Sequence, residues 1–288
     1  MSAPGRLSIY LRLGRVSNLP TVWTNTLAAC ALAGGLTGAL GGGAAKIAGL
    51  AATMSLFYVA GMLLNDAFDR DIDAKERPER PIPKGLVSAN EVFSVGFGML
   101  GGGIGLLYWQ AGVFAALAGA ALAGNIVLYD AWHKNNPLSP VLMAGCRVLV
   151  YVTSAVAVGA LGLAVIGGAA ALFAYLIGLT YVAKIEGKSG ARLWPLAFLA
   201  VPFLKTGAAV RVGMVAPLLY FGFLAVVVWA VFLVRQKRAI GKAIVLLLAG
   251  ISLLDALLLA SAGHTTAALA ATAGFFATRA LQRWVAGT

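Results

Sequence analysis

Apolar residues run along this chain in stretches of about twenty, broken by short polar or glycine-rich segments. Each stretch is long enough to cross a bilayer as a helix, which takes about 20 residues at about 1.5 Å of rise apiece. The pattern predicts spans at 19–40, 46–66, 91–111, 113–131, 140–162, 164–183, 193–210, 214–234, 242–262 and 265–283. The last is alanine-rich and carries Arg279 and Arg283, so a helix lying in the membrane interface is its alternative reading. No polar segment between spans exceeds roughly 25 residues, too few to bury a core of their own. The expectation is an all-α polytopic membrane protein forming one membrane-embedded unit over residues 1–288.

Composition agrees with the pattern. The chain is 60% hydrophobic and 11% charged, against about 25% charged residues in a soluble domain. Its net charge of +12 would raise nucleic acid as a partner of a soluble protein, but here topology explains it and no nucleic-acid partner is expected. With the N-terminus placed in the cytoplasm, 18 of the 22 lysines and arginines fall on the cytoplasmic side, Lys46 and Arg211 lie opposite, and Arg147 and Lys205 sit within spans. That asymmetry predicts orientation, and an even number of spans returns Arg279 and Arg283 inside. The expected location is a multi-pass protein of the cell inner membrane. Arg6, Arg12 and Arg15 before an apolar run resemble a signal peptide, yet the run is long and holds Thr24, Asn25 and Thr26, which favours an uncleaved first span. Cys30 and Cys146 lie in separate spans and predict neither a disulfide nor a metal site.

Charge becomes informative where it clusters. Six of the ten acidic residues fall between positions 66 and 79, directly after the second apolar run. Asp66, Asp69 and Asp73, spaced i, i+3, i+7, share one helix face at about 100° per residue; Asn65 borders that face and Asp71 points away. Three neighbouring carboxylates repel one another unless a cation sits between them. Hard oxygen ligands with room for water and phosphate suit Mg²⁺. A solvated acidic helix end, neutralised by Arg70, Lys75 and Arg77, is the plainer alternative.

The run Asn65-Asp66-x-x-Asp69-x-x-x-Asp73 resembles the first aspartate-rich motif of UbiA-type membrane prenyltransferases. The match continues through Arg77 to Arg80-Pro81-Ile82-Pro83-Lys84-Gly85, and Arg15 with Asn18-Leu19-Pro20 resembles that family's approach to its first helix. The resemblance implies a bundle of about nine core transmembrane helices, with 265–283 as a C-terminal tenth, around a cavity open to lipid. It implies Mg²⁺ on Asp66, Asp69 and Asp73 with Asn65 beside them. An isoprenoid diphosphate would be bound by Arg77 and Arg80, with Arg15, Asn18, Lys84 and Lys134 as further contacts. Its isoprenoid group would pass to a small lipophilic acceptor, aromatic in many members. Arg77 and Arg80 also fit plain positive-inside loop charge.

Two departures from the family pattern stand out. Where a second aspartate-rich motif is expected, this chain has Tyr181-Val-Ala-Lys184-Ile-Glu186-Gly187-Lys188. Lys184 and Lys188 either replace a second metal as point charges on phosphate or are interfacial topology residues. The other is Tyr129-Asp130-Ala-Trp-His133-Lys134, followed by Cys146-Arg147, a stretch similar to the UbiA-like members of bacterial Ebo gene clusters. Asp130 and Arg147 are expected to form a buried ion pair or to recognise the acceptor, with His133 and Tyr181 also on the acceptor side. Asp255 and Lys205, lone charges within spans, are expected either to pair or to snorkel. Cyclisation or hydrolysis of the diphosphate, or lipid transport without catalysis, are the alternative activities.

Overall fold

The computed structural model describes residues 5–36, 43–134, 136–159, 161–184, 193–236 and 239–285, and these contain helices and no strand. A short amphipathic α1 (Arg6–Leu13) precedes α2 (Leu19–Leu32), α3 (Gly43–Phe68) and α4 (Arg70–Glu76). Then come α5 (Ala89–Ala111), α6 (Val113–Trp132), α7 (Ser139–Val158), α8 (Leu163–Lys184), α9 (Val201–Thr206), α10 (Val215–Arg235), α11 (Ile240–Ser261) and α12 (Thr265–Leu281). Seven of them, α3, α5, α6, α7, α8, α10 and α11, are long and apolar enough to cross a membrane.

The bundle is built around α2 and α11, which pack on each other. One apolar core joins α2 to α3, α5, α6 and α7. A larger one joins α2 and α11 to α7, α8, α10 and α12. A third, smaller cluster docks Ile9 and Leu13 of α1 on Leu63 and Ala67 of α3. Along α11, every residue from Ala249 to Ala260 is buried, whereas Leu218, Phe221 and Trp229 of α10 are exposed, as a lipid-facing helix requires.

Two predicted spans differ from expectation. Span 193–210 is not one helix: 3-10 turns at Trp194–Ala200 and Gly207–Arg211 flank the six residues of α9. Pro195 and Pro202 each sit in a first turn, where the missing N–H costs nothing, and each forbids continuation of the preceding helix. In the first span, α2 ends at Leu32 instead of continuing to 40, and residues 37–42 lie outside those described. The C-terminal helix runs the length of the bundle: α12 follows the far end of α11, and Gln282 just beyond it donates to Asn18 Oδ1 at 3.1 Å.

Glycines set how closely α3, α5 and α6 approach. Gly112, at φ +81°, is the single residue between α5 and α6, and a side chain would strain that backbone. At the α3–α5 seam, a Cβ on Gly96 would lie 2.8 Å from the Leu64 side chain, next to Asn65 and Asp66. The N-terminus of α5 is also fixed: Ser88 Oγ accepts from Glu91 N at 3.1 Å, and Glu91 Oε1 accepts from Tyr10 of α1 at 2.8 Å. Burial and this bond to Glu91 both raise the Tyr10 pKa. Replacing Gly96 with valine should therefore wedge α5 off the end of α3 and cost roughly 1–3 kcal/mol, read as a lower thermal midpoint of the purified protein.

Candidate active site

The acidic face predicted from sequence is present. Asp66, Asp69 and Asp73 are all buried, while the Asp71 side chain is 85% exposed and reaches only Arg70, at 3.7 Å. The helix is interrupted at Asp69, where α3 gives way to α4, but Asp69 keeps a near-helical backbone and the face continues.

The chain's own cations sit among these carboxylates. Arg80 Nη1 donates to Asp66 Oδ1 at 3.1 Å and to Asp73 Oδ2 at 2.6 Å. Arg15 Nη2 donates to the same Asp66 oxygen at 3.1 Å. Arg15 holds φ +42°, the only non-glycine residue with positive φ among those described. Strain of this kind persists only where surrounding contacts impose it, and here Tyr58 OH donates to the Arg15 carbonyl at 3.4 Å. The loop delivering Arg80 closes on itself, with Leu86 N donating to Pro81 O at 3.0 Å and Gly85 at φ +69°, which accounts for the glycine of the motif.

Asp69 faces another way. His133 Nε2 and Lys134 Nζ, from the end of α6, each lie 3.4 Å from its Oδ2. Burial raises its pKa, but the hydrogen bonds and charges of His133 and Lys134 outweigh that and hold it below the usual carboxylate range. The stabilisation from these contacts is thus present above the ordinary carboxylate pKa and is lost as pH falls through the depressed one.

These residues do not form one ready-made metal cage: among the described residues, no three carboxylates, histidines or cysteines converge on a point. Asp66 and Asp73 nonetheless share a single cationic nitrogen, so this pair fits a cation, and the third predicted ligand, Asp69, is turned toward α6. Beside the pair lies a cavity of about 740 Å³ lined by Arg12, Arg15, Arg77, Arg80 and Lys84, with Asp66 and Glu79 as its acids and Trp284 and Val285 on its rim. Arg12 was legible in the sequence only as N-terminal positive charge, and Trp284 was not singled out.

The predicted Asp130–Arg147 ion pair is not formed. Arg147 turns toward α2, donating to Asn25 Oδ1 at 3.1 Å and Thr21 Oγ1 at 3.0 Å, with its guanidinium 5.3 Å from the centre of the Tyr58 ring. The carboxylate serving this region is Asp255 of α11, fully buried. Its Oδ2 accepts from Thr24 at 2.7 Å and Asn25 at 2.8 Å, and its Oδ1 accepts from Tyr151 OH. Asn25 thus bridges the two charges. Lys205 is not the partner of Asp255, because three neutral donors already satisfy it. Asp130, also buried, accepts from Asn65 Nδ2 at 3.2 Å through Oδ1, and its Oδ2 has no partner. Asp130 and Arg147 both line a small, mainly apolar pocket of about 50 Å³ between α2, α3, α6 and α7.

The structure brings Asn18 to Gln282 and sets Tyr181 against the larger apolar core. Lys184 donates to the Asn136 carbonyl at 2.7 Å, in the loop after α6. Lys188, with Glu186 and Gly187, lies outside the described residues.

A family model for the UbiA prenyltransferase family matches residues 21–239. The chain belongs to that family. Among curated proteins it is 36% identical over 135 residues to a digeranylgeranylglyceryl phosphate synthase of Ignicoccus hospitalis, covering 47% of this chain and 41% of that one. It is 41% identical over 70 residues to the chloroplastic chlorophyll synthase of Avena sativa, covering 23% and 18%. The matches thus span less than half the length of these relatives. Of solved structures, the apo form of a UbiA homolog from Aeropyrum pernix K1 aligns with TM-score 0.66 at 19% identity, over 84% of this chain and 95% of that one. A structure described as giving insights into the biosynthesis of digeranylgeranylglyceryl phosphate synthase in membranes aligns with TM-score 0.61 at 20% identity, over 90% and 99%. The UbiA fold, with multiple membrane helices, is therefore the fold of this chain.

Removing the Asp255 carboxylate leaves the donors of Asn25 and Tyr151 unmatched in an apolar core, while Thr24 Oγ1 keeps Thr21 O and Ser252 Oγ at 3.2 Å. Asp255→Ala should lower stability by roughly 3 kcal/mol, whereas Asp71→Asn should leave the thermal midpoint unchanged.

Proposed function

We propose that this protein transfers an isoprenoid group from an allylic isoprenoid diphosphate to a lipophilic acceptor at the carboxylate end of the bundle. The observation that carries the reading is the union of buried carboxylates with a cation-lined cavity: Asp66 and Asp73 share Arg80, and Arg12, Arg15, Arg77 and Lys84 complete the wall. Such a wall neutralises a diphosphate where little water is present. Family membership supports the same chemistry. This end faces the cytoplasm of the inner membrane if the lysine and arginine asymmetry reports orientation.

Asp66 and Asp73 would hold Mg²⁺, with Asp69 joining them if it leaves His133 and Lys134. When bound, the ion supplies positive charge against the departing diphosphate. The arginines bind and orient the diphosphate, and the allylic C–O bond breaks with the electron pair leaving on the diphosphate oxygen. Lys134 and Lys184 stand at the same end of the bundle and add charge on the α6–α7 and α8 sides. The isoprenoid cation is captured by the acceptor, whose displaced proton needs a base. Asp130 fits that role: one oxygen is fixed by Asn65, the other is unpartnered, and Arg147, Tyr129 and Tyr58 flank it on the same pocket. His133 and Tyr181 remain on the acceptor side of the proposal.

Diphosphate release from geranylgeranyl diphosphate by purified protein tests the reading directly. Asp66→Asn and Asp69→Asn should each lower it by at least about 100-fold, while Asp71→Asn should change it by less than about twofold. Equal loss in all three would refute the helix-face argument. Asp130→Asn should still release diphosphate but form about 100-fold less prenylated product, as expected on losing a general base. Mass spectrometry of products against an acceptor panel reads that ratio.

A further inference from the structure

The end of the bundle opposite the carboxylates has a cavity of its own, about 210 Å³ in volume. Its walls include Leu32 at the end of α2, Ala164 in the first turn of α8, Lys205 and Thr206, and Ser261 at the end of α11. These are helix ends, so the cavity sits at the depth of lipid headgroups, not at the bilayer centre.

Lys205 is placed there by construction. The proline-broken segment carries it, and its stem lies on the bare backbone of Gly167: a Cβ at that position would be 2.8 Å from Lys205 Cε. Among the described residues Lys205 has no hydrogen bond or ion pair, and no acid lines the cavity. The positive-inside bias does not explain a cation at this end, because the bias gathers charge at the other. A second source of positive potential is the N-terminus of the 22-residue α8, whose first turn carries no acid and has N–H groups without helical acceptors. The two hydroxyls offer the complementary chemistry. Thr206 Oγ1 donates to Pro202 O at 2.9 Å and Ser261 Oγ donates to Leu257 O at 2.6 Å, so both are left as acceptors.

We propose that this cavity binds the headgroup of an anionic phospholipid. The phosphodiester lies on Lys205 and the α8 N-terminus, a headgroup hydroxyl donates to Ser261 or Thr206, and the acyl chains leave over the exposed Leu163, Leu204 and Met214. The site is independent of the carboxylate end and of the activity proposed there.

Native mass spectrometry of the detergent-purified full chain, titrated with phosphatidylglycerol or phosphatidylcholine, tests it. Phosphatidylglycerol should bind at least about fivefold more tightly, as expected for one lysine acting on an anionic headgroup. Lys205→Gln should abolish that preference at an unchanged thermal midpoint, Lys205→Arg should retain it, and Lys46→Gln, at the same end but outside the cavity, should leave it intact. Equal binding of the two lipids, or a preference that survives Lys205→Gln, overturns the proposal. So does blockade of phosphatidylglycerol by millimolar inorganic phosphate, which would mark a site for free anions.

Discussion

A bundle this apolar can hold charge only where hydrogen bonds stand in for water, and the hydrogen bonds around Asp255 do this at its centre. Thr24 and Asn25 from α2, and Tyr151 from α7, converge on one carboxylate of α11. In a low-dielectric interior such a satisfied network is rigid, and an incomplete one is costly. The network ties together the two helices around which both halves of the fold are packed. Through Asn25 it also fixes Arg147 on the wall of the small apolar pocket. A residue far from the acidic motif thus determines where a guanidinium stands near it.

At the polar end the same constraint is met differently. Carboxylates there are balanced by arginines from separate segments: Arg15 before α2 and Arg80 from the loop after α4. These contacts close the cluster. Under the proposed function, a diphosphate in the neighbouring cavity would compete with the carboxylates for the same guanidinium groups.

Much of this was legible in the chain, for definable reasons. Seven of the ten spans followed from run length, and the burial of Asp66, Asp69 and Asp73 with exposure of Asp71 followed from helical periodicity, which is local geometry. What escaped was pairing across helices. Asp130 and Arg147 were matched because they are close in sequence count, yet Arg147 reaches α2, whose Thr21 and Asn25 no spacing rule links to it. The polar run Thr24-Asn25-Thr26 was visible and served only as an argument against a cleaved leader, although polar groups inside a span call for partners. The prolines at 195 and 202 were also visible in the chain. Hydropathy alone concealed the breaks they make, since a broken segment and a continuous helix have the same composition.

Gly112 leaves a single residue between α5 and α6. With no slack in that connection, the two helices are held side by side at the far end. At the near end, α5 packs against the end of α3 that carries Asp66, and α6 carries Asp130 and leads into His133 and Lys134. Because α5 packs on both α3 and α6, the seam beside Asp66 and the side that carries His133 and Lys134 share one wall. A substitution at either face of α5 therefore bears on both groups of carboxylate contacts.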